Sequence, residues 1–137
     1  MKAAEAMNRS VVSCAESDPI ELVAQRMRDS HVGFLPVRDE DGRITGAITD
    51  RDITVRIIAE GKDYKTSKVG DAMTREVYFC SSTDPLKEVE DLMARRKIQR
   101  VMVIDDGTLV GVVSLSDLSK KEWGFRVART LQAVSSS

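Results

Sequence analysis

The sequence predicts an α+β fold of two tandem βαββα repeats packed with pseudo-twofold symmetry. Three observations carry this expectation. The chain matches itself at a nearly constant offset. Each copy contains an Asp-Pro pair followed by a helical apolar stripe. Each copy then runs through two β-type segments joined around Asp-Gly.

At an offset of 66, Met7 falls on Met73, Cys14 on Cys80, Asp18-Pro19 on Asp84-Pro85, Met27 on Met93, Val37 on Val103 and Asp39 on Asp105. One residue near Asp41 is then extra in the first copy. From there an offset of 65 aligns Gly42 with Gly107, Gly46 with Gly111, Thr49 with Ser114 and Asp52 with Asp117. Stacked arrays usually need three or more repeats, so two copies argue for a closed pair.

The elements follow in order. Val11–Cys14 and Val77–Cys80 are short runs rich in Val and aromatics, the composition of strands. Asp18 is placed to cap a helix, with Pro19 in its first turn and Glu21 completing a capping-box-like pattern. Ile20, Val23, Ala24 and Met27 then form one apolar stripe, repeated by Leu86, Val89 and Met93. Residues 33–37 and 44–48, and their twins 101–104 and 109–113, read as hairpin strands around Asp41-Gly42 and Asp106-Gly107. A second helix is expected near Asp52 and near Asp117. These elements give a first repeat over 1–60, a linker over 61–70 whose 61–68 stretch is exposed, a second repeat over 71–122, and a C-terminal helix and tail over 123–137. A copy of about 50 residues buries little surface alone, so the two are expected to share a core.

Composition excludes several classes of function. Hydrophobic residues make up 42% of the 137, enough for a core, and with one Trp, two Tyr and three Phe that core must be largely aliphatic. The 21 basic and 22 acidic side chains nearly cancel, whereas nucleic-acid binding calls for a clustered basic excess. The Arg95-Arg96-Lys97 run sits where cations offset a helix dipole. No apolar run approaches the ~20 residues of a membrane span, and the N-terminus carries no signal-like segment. A cytoplasmic protein is expected. Cys14 and Cys80 are too few for a disulfide framework and, with one His, for a closed zinc site. They read as small strand hydrophobes rather than redox sensors.

The residues that carry chemistry are Thr49-x-x-Asp52 and Ser114-x-x-Asp117. Two readings stand. A Ser/Thr-x-x-Asp before a helix is close to a capping box and needs no ligand. Recurrence in both copies, after a glycine that lets another backbone approach, favours a binding role. A helix start offers free N–H groups to phosphate, and a carboxylate accepts the two hydroxyls of a ribose.

Each copy resembles a CBS domain, on a match running from about Ala6 to Leu118. The motifs are the Met7-Asn8 and Met73-Thr74 openings, the Asp-Pro helix starts, and the stretch from Leu35 to Asp52 with its twin 101–117. The second copy departs in having Met102 where the family usually has Pro. The resemblance implies a Bateman module that binds adenosine-containing ligands (AMP, ADP, ATP or S-adenosylmethionine-like) in clefts between CBS-type repeats. It implies one cleft from Thr49, Arg51 and Asp52 with Glu76, Val77, Tyr78, Ile98, Gln99 and Arg100. A second cleft would join Ser114 and Asp117 to Ser10, Val11, Val12, Val32, Gly33 and Phe34. Arg51 and Arg100 would grip phosphate, since a planar guanidinium fork bonds it bidentately. The second cleft has Ser116 and Phe34 at those places, and His31 near it reads as a surface residue. A homodimer is implied by the same resemblance.

No catalytic residues, resident cofactor or metal are expected: P-loop, GxGxxG and HExxH motifs are absent. Without an attached effector domain, binding must be read out by a partner protein or by self-association. The rival reading is an oligomerisation or interaction module with vestigial clefts. The stripe Trp123, Val127, Leu131 supports it weakly, packing on the protein's own core being the simpler expectation.

Overall fold

The computed structural model describes residues 1–119 and 130–134. The chain divides into two compact units, a first comprising Val12–Val77 and a second comprising Met1–Val11 together with Tyr78–Ser137. A short helix α1 (Ala3–Ala6) therefore belongs with the C-terminal half of the chain.

The first unit holds β1 (Cys14–Ala15), α2 (Ile20–Ser30), β2 (Phe34–Arg38), β3 (Ile44–Thr49) and α3 (Asp50–Ile53), which runs on as a π-helical turn over Thr54–Ile58. Its sheet has the order β1-β2-β3, with β1 parallel and β3 antiparallel to β2. Alternation along the strands turns Leu35, Val37 and Ile48 onto Ile20, Val23 and Met27 of α2, and Ile57 joins the same core. The second unit repeats the plan with β4 (Phe79–Cys80), α4 (Leu86–Arg96), β5 (Arg100–Asp105), β6 (Thr108–Ser114) and α5 (Leu115–Ser119). There Val101, Val103 and Val113 meet Leu86, Val89 and Met93. Each unit thus encloses a helix-side core of its own.

Both hairpins form where Asp-Gly stands. Asp106 and Gly107 have φ of 50° and 76°, the pair of positive angles that lets a two-residue turn follow the twist of the strands. In the first repeat the extra residue is absorbed by the turn. The Asp39 carboxylate accepts the N–H groups of Asp41 and Arg43, and Gly42 supplies the one positive φ.

The helix starts differ from expectation. Pro19 and Pro85 are themselves the N-caps, neither with a side-chain cap bond, so the box with Glu21 does not form. Asp18 faces backward: its Oδ2 accepts the Ala15 N–H at 2.9 Å and pairs with Arg26 at 3.0 Å. Asp84 does the same for the Ser81 N–H. The first free helix N–H is satisfied by distant backbone instead, Ile20 donating to the Ser67 carbonyl and Leu86 to that of Met1. Ser67 and Val69 are accordingly buried, while 61–66 lie exposed. Ala24 is exposed, but its counterpart Glu90 is only 2% exposed.

The opening motifs part from their own repeats. The 3-10 turn Val69–Asp71 and Met73-Thr74 pack on the first unit, with Ala47 and Thr74 exchanging backbone bonds of 2.9 and 2.8 Å. Ala3, Ala6 and Met7 fill the corresponding place in the second unit, where Asn8 and Val112 bond reciprocally. The runs expected as strands over 11–14 and 77–80 straddle these crossings, and only Cys14 of the first and Phe79–Cys80 of the second register in a sheet. At the C-terminal end, residues 130–134 are helical, with Thr130 and Val134 buried and Leu131 39% exposed. Trp123 and Val127 lie outside the described residues.

Candidate functional site

Strand β3 delivers the chain into α3 through Thr49, which has extended backbone angles (φ −118°, ψ 162°). The Thr49 hydroxyl accepts the Asp52 N–H at 3.0 Å, and Asp52 Oδ2 accepts the Thr49 N–H at 3.1 Å. This is a complete capping box, satisfying two donors that a helix start would leave orphaned. In the second unit Ser114 likewise accepts the Asp117 N–H at 3.1 Å, and its hydroxyl lies 3.1 Å from that of Ser116.

The two carboxylates differ in environment. Asp52 is 9% exposed and Asp117 half-buried. The Thr74 hydroxyl stands 3.3 Å from each Asp52 oxygen, and Arg56 Nε is 3.8 Å from Oδ1. Arg56 also donates to the Met73 and Ala72 carbonyls, at 2.9 and 3.4 Å. Neither Thr74 nor Arg56 was expected at this site. The signal for Thr74 was in the sequence: it belongs to the repeated opening motif, and Gly46 lacks the Cβ that would exclude it.

Within the first unit, Phe34 is the ladder partner of Thr49, and the Gly33 carbonyl accepts the Asp50 N–H at 3.0 Å. Arg51 and Val32 are exposed and Val12 and Val77 half-buried. Within the second unit, Arg100 pairs with Ser114 across the ladder, and the Gln99 carbonyl accepts the Leu115 N–H. Directly opposed residues of an antiparallel pair share a sheet face. Arg100 and Ser114 therefore stand side by side, away from the face that carries Val101 and Val113 into the core. Tyr78, Ile98 and Val11 are half-buried, and Arg96 lies over the Tyr78 ring, 5.4 Å from its centroid. The two groupings implied by the resemblance each draw on both units. Inside the units, Gly33 and Phe34 lie beside the Thr49 corner, and Gln99 and Arg100 beside Ser114.

Other polar groups have local structural work. Glu16 is held below the ordinary carboxylate range, first by its hydrogen bond with Arg75 and then by that from Thr45. Burial pushes both thiols up to about 11, with Asp18 adding to the effect at Cys14 and Asp84 at Cys80. His31 and Lys97 end α2 and α4 in left-handed conformation.

The CBS domain family model matches residues 3–59 and 69–124. The chain belongs to the CBS domain family. It carries two tandem CBS repeats. Hypoxic response protein 1 of Mycobacterium tuberculosis is 29% identical over 134 residues, covering 98% of this chain and 94% of that one. The crystal structure of Hypoxic Response Protein I, with two coordinated zinc ions, is similar at TM-score 0.78 and 31% identity, over 88% of this chain and 98% of that one. The CBS domain pair of protein MJ0100, solved in complex with 5′-methylthioadenosine and S-adenosyl-L-methionine, gives TM-score 0.78 at 25% identity, over 88% and 94% of the two chains. Among the described residues of this CBS pair, no three His, Cys, Asp or Glu side chains are grouped to hold a metal ion. No described helix is long and apolar enough to cross a membrane.

Proposed function

We propose that this CBS pair is a regulatory module that binds an adenosine-containing ligand and acts through a partner rather than by catalysis. The observation that carries the reading is the repeated strand-to-helix corner, where a hydroxyl and a carboxylate three residues apart open a helix in each repeat. Asp52 and Asp117 are assigned to the ribose hydroxyls, with Thr49 and Ser114 beside them. Arg51 and Arg100, both exposed, are assigned to phosphate. Val11, Val12, Val32, Val77, Tyr78 and Ile98 are assigned to the walls around the base. The adenosyl ligands of the MJ0100 pair support this ligand class. We further propose that the protein works in the cytoplasm as a homodimer that signals to an effector protein, without nucleic acid or membrane. An oligomerisation module with vestigial clefts is the second reading, favoured by Val55 and Ile58, which are 44% and 57% exposed on one helical turn.

Calorimetry with AMP, ATP and S-adenosylmethionine tests the proposal. Each charge-assisted hydrogen bond contributes roughly 1.5–3 kcal/mol, so Asp52→Ala and Arg100→Ala are each expected to weaken binding about tenfold or more. Unchanged affinity in both variants removes the assignment. A protein that binds none of the three ligands and associates with itself fits the second reading.

A further inference from the structure

Asp52 has more donors aimed at it than a helix cap requires. The cap uses one lone pair of Oδ2, through the Thr49 N–H. The Thr74 hydroxyl, 3.3 Å from both oxygens, takes the edge between them, and Arg56 faces Oδ1. A carboxylate offers about four lone-pair sites, and a vicinal diol needs two of them, one on each oxygen. Those are the positions the Thr74 hydroxyl spans.

Thr74 is not loosely placed. Its backbone exchanges two hydrogen bonds with Ala47, and the carbonyls of Ala72 and Met73 just before it are held by Arg56. Its carbonyl oxygen occupies the space that a side chain at Gly46 would take. The equivalent residue of the other repeat is Asn8, whose side-chain oxygen accepts the Ser10 N–H at 3.0 Å. At this position the first repeat therefore meets a hydroxyl where the second has an amide.

We infer that Thr74 sets the affinity of the Asp52 site, as an internal hydroxyl that a ligand diol must displace from the carboxylate. The inference rests on the adenosine reading above. It predicts that Asp52 discriminates against ligands with a single sugar hydroxyl, because one donor replaces Thr74 without gain whereas two add a bond.

The test is calorimetry with AMP and 2′-deoxy-AMP on the wild type, Thr74→Val and Thr74→Ser. Valine keeps the shape of threonine and removes the donor. The Thr74 bond is long and shared between two acceptors, so its loss is expected to tighten AMP binding by about threefold to tenfold. Removing the competing donor adds the same bond for both ligands, so 2′-deoxy-AMP should tighten by a similar factor, and Thr74→Ser should restore wild-type behaviour. A purely structural threonine would weaken binding or leave it unchanged on substitution. AMP bound by Thr74→Val no more tightly than by wild type overturns the inference and leaves the adenosine reading standing. No binding of AMP by any of the three proteins overturns the inference, and the adenosine reading falls with it only when ATP and S-adenosylmethionine also fail to bind.

Discussion

Replacing Gly46 with alanine probes the join between the first CBS repeat and the Met73-Thr74 segment. A Cβ at Gly46 would stand 2.6 Å from Met73 Cε and 3.2 Å from the Arg75 Cα, and closest of all to the Thr74 carbonyl oxygen. The Met73 side chain is able to move, but the backbone of 74–75 moves only by breaking its two bonds with Ala47. Each such bond is worth about 0.5–1.5 kcal/mol, and overpacking a dense core costs about 1–3 kcal/mol. Part of the second cost is relieved when the bonds break. A loss of about 2–4 kcal/mol is expected, a large share of the roughly 5–15 kcal/mol that holds a domain together. Gly70 is the internal control, since a Cβ there meets only the Glu16 carbonyl oxygen, at an ordinary 3.5 Å. Urea denaturation of Gly46→Ala and Gly70→Ala reads both. A Gly46→Ala protein as stable as Gly70→Ala would refute the argument that the missing side chain makes room for the segment.

Further perturbations follow from the same geometry. Thr49→Ala and Ser114→Ala should each cost about 1 kcal/mol by removing a cap acceptor, visible as a lower urea midpoint, whereas Thr49→Ser should cost little. With thiol pKa values raised to about 11, Cys14 and Cys80 are protonated at neutral pH, so iodoacetamide should modify the native protein slowly until the solution is strongly alkaline. Fast alkylation at pH 7 would contradict the burial. The same shifts bear on stability: the folded protein keeps protons that the unfolded chain releases near pH 9, so this contribution is whole below about 9 and is lost as pH climbs through about 11. Lys97→Gly should raise the melting temperature by a few degrees, because the left-handed angle at φ 57° costs a lysine about 1 kcal/mol that glycine avoids.

The repeat, the two hairpins and the helix stripes were legible because each follows from local chemistry. Asp106-Gly107 needs no tertiary context to turn, and Ile20, Val23 and Met27 need only the helical period. The Asp18-Pro19 start was misread for a physical reason: a carboxylate at that point had two possible donors, and it chose the preceding turn and Arg26 over the helix. Two distant carbonyls, of Ser67 and Met1, then completed the helix starts, and local pattern carries no trace of such partners. At the site, Thr49 and Asp52 were legible as a pair. What the pair touches was not, because Thr74 reaches Asp52 from 22 residues away.

The crossing of the opening segments has a consequence for biosynthesis. Val12–Val77 is continuous, so the whole of this unit has been synthesised once little more than half the chain has been made. Met1–Val11 emerges first, yet its packing partners in β6 and α4 come last. Domains generally fold as units in the order they are synthesised. The first eleven residues must therefore wait, unpacked, through most of translation. An N-terminal truncation would spare the repeat it precedes and damage the distant one.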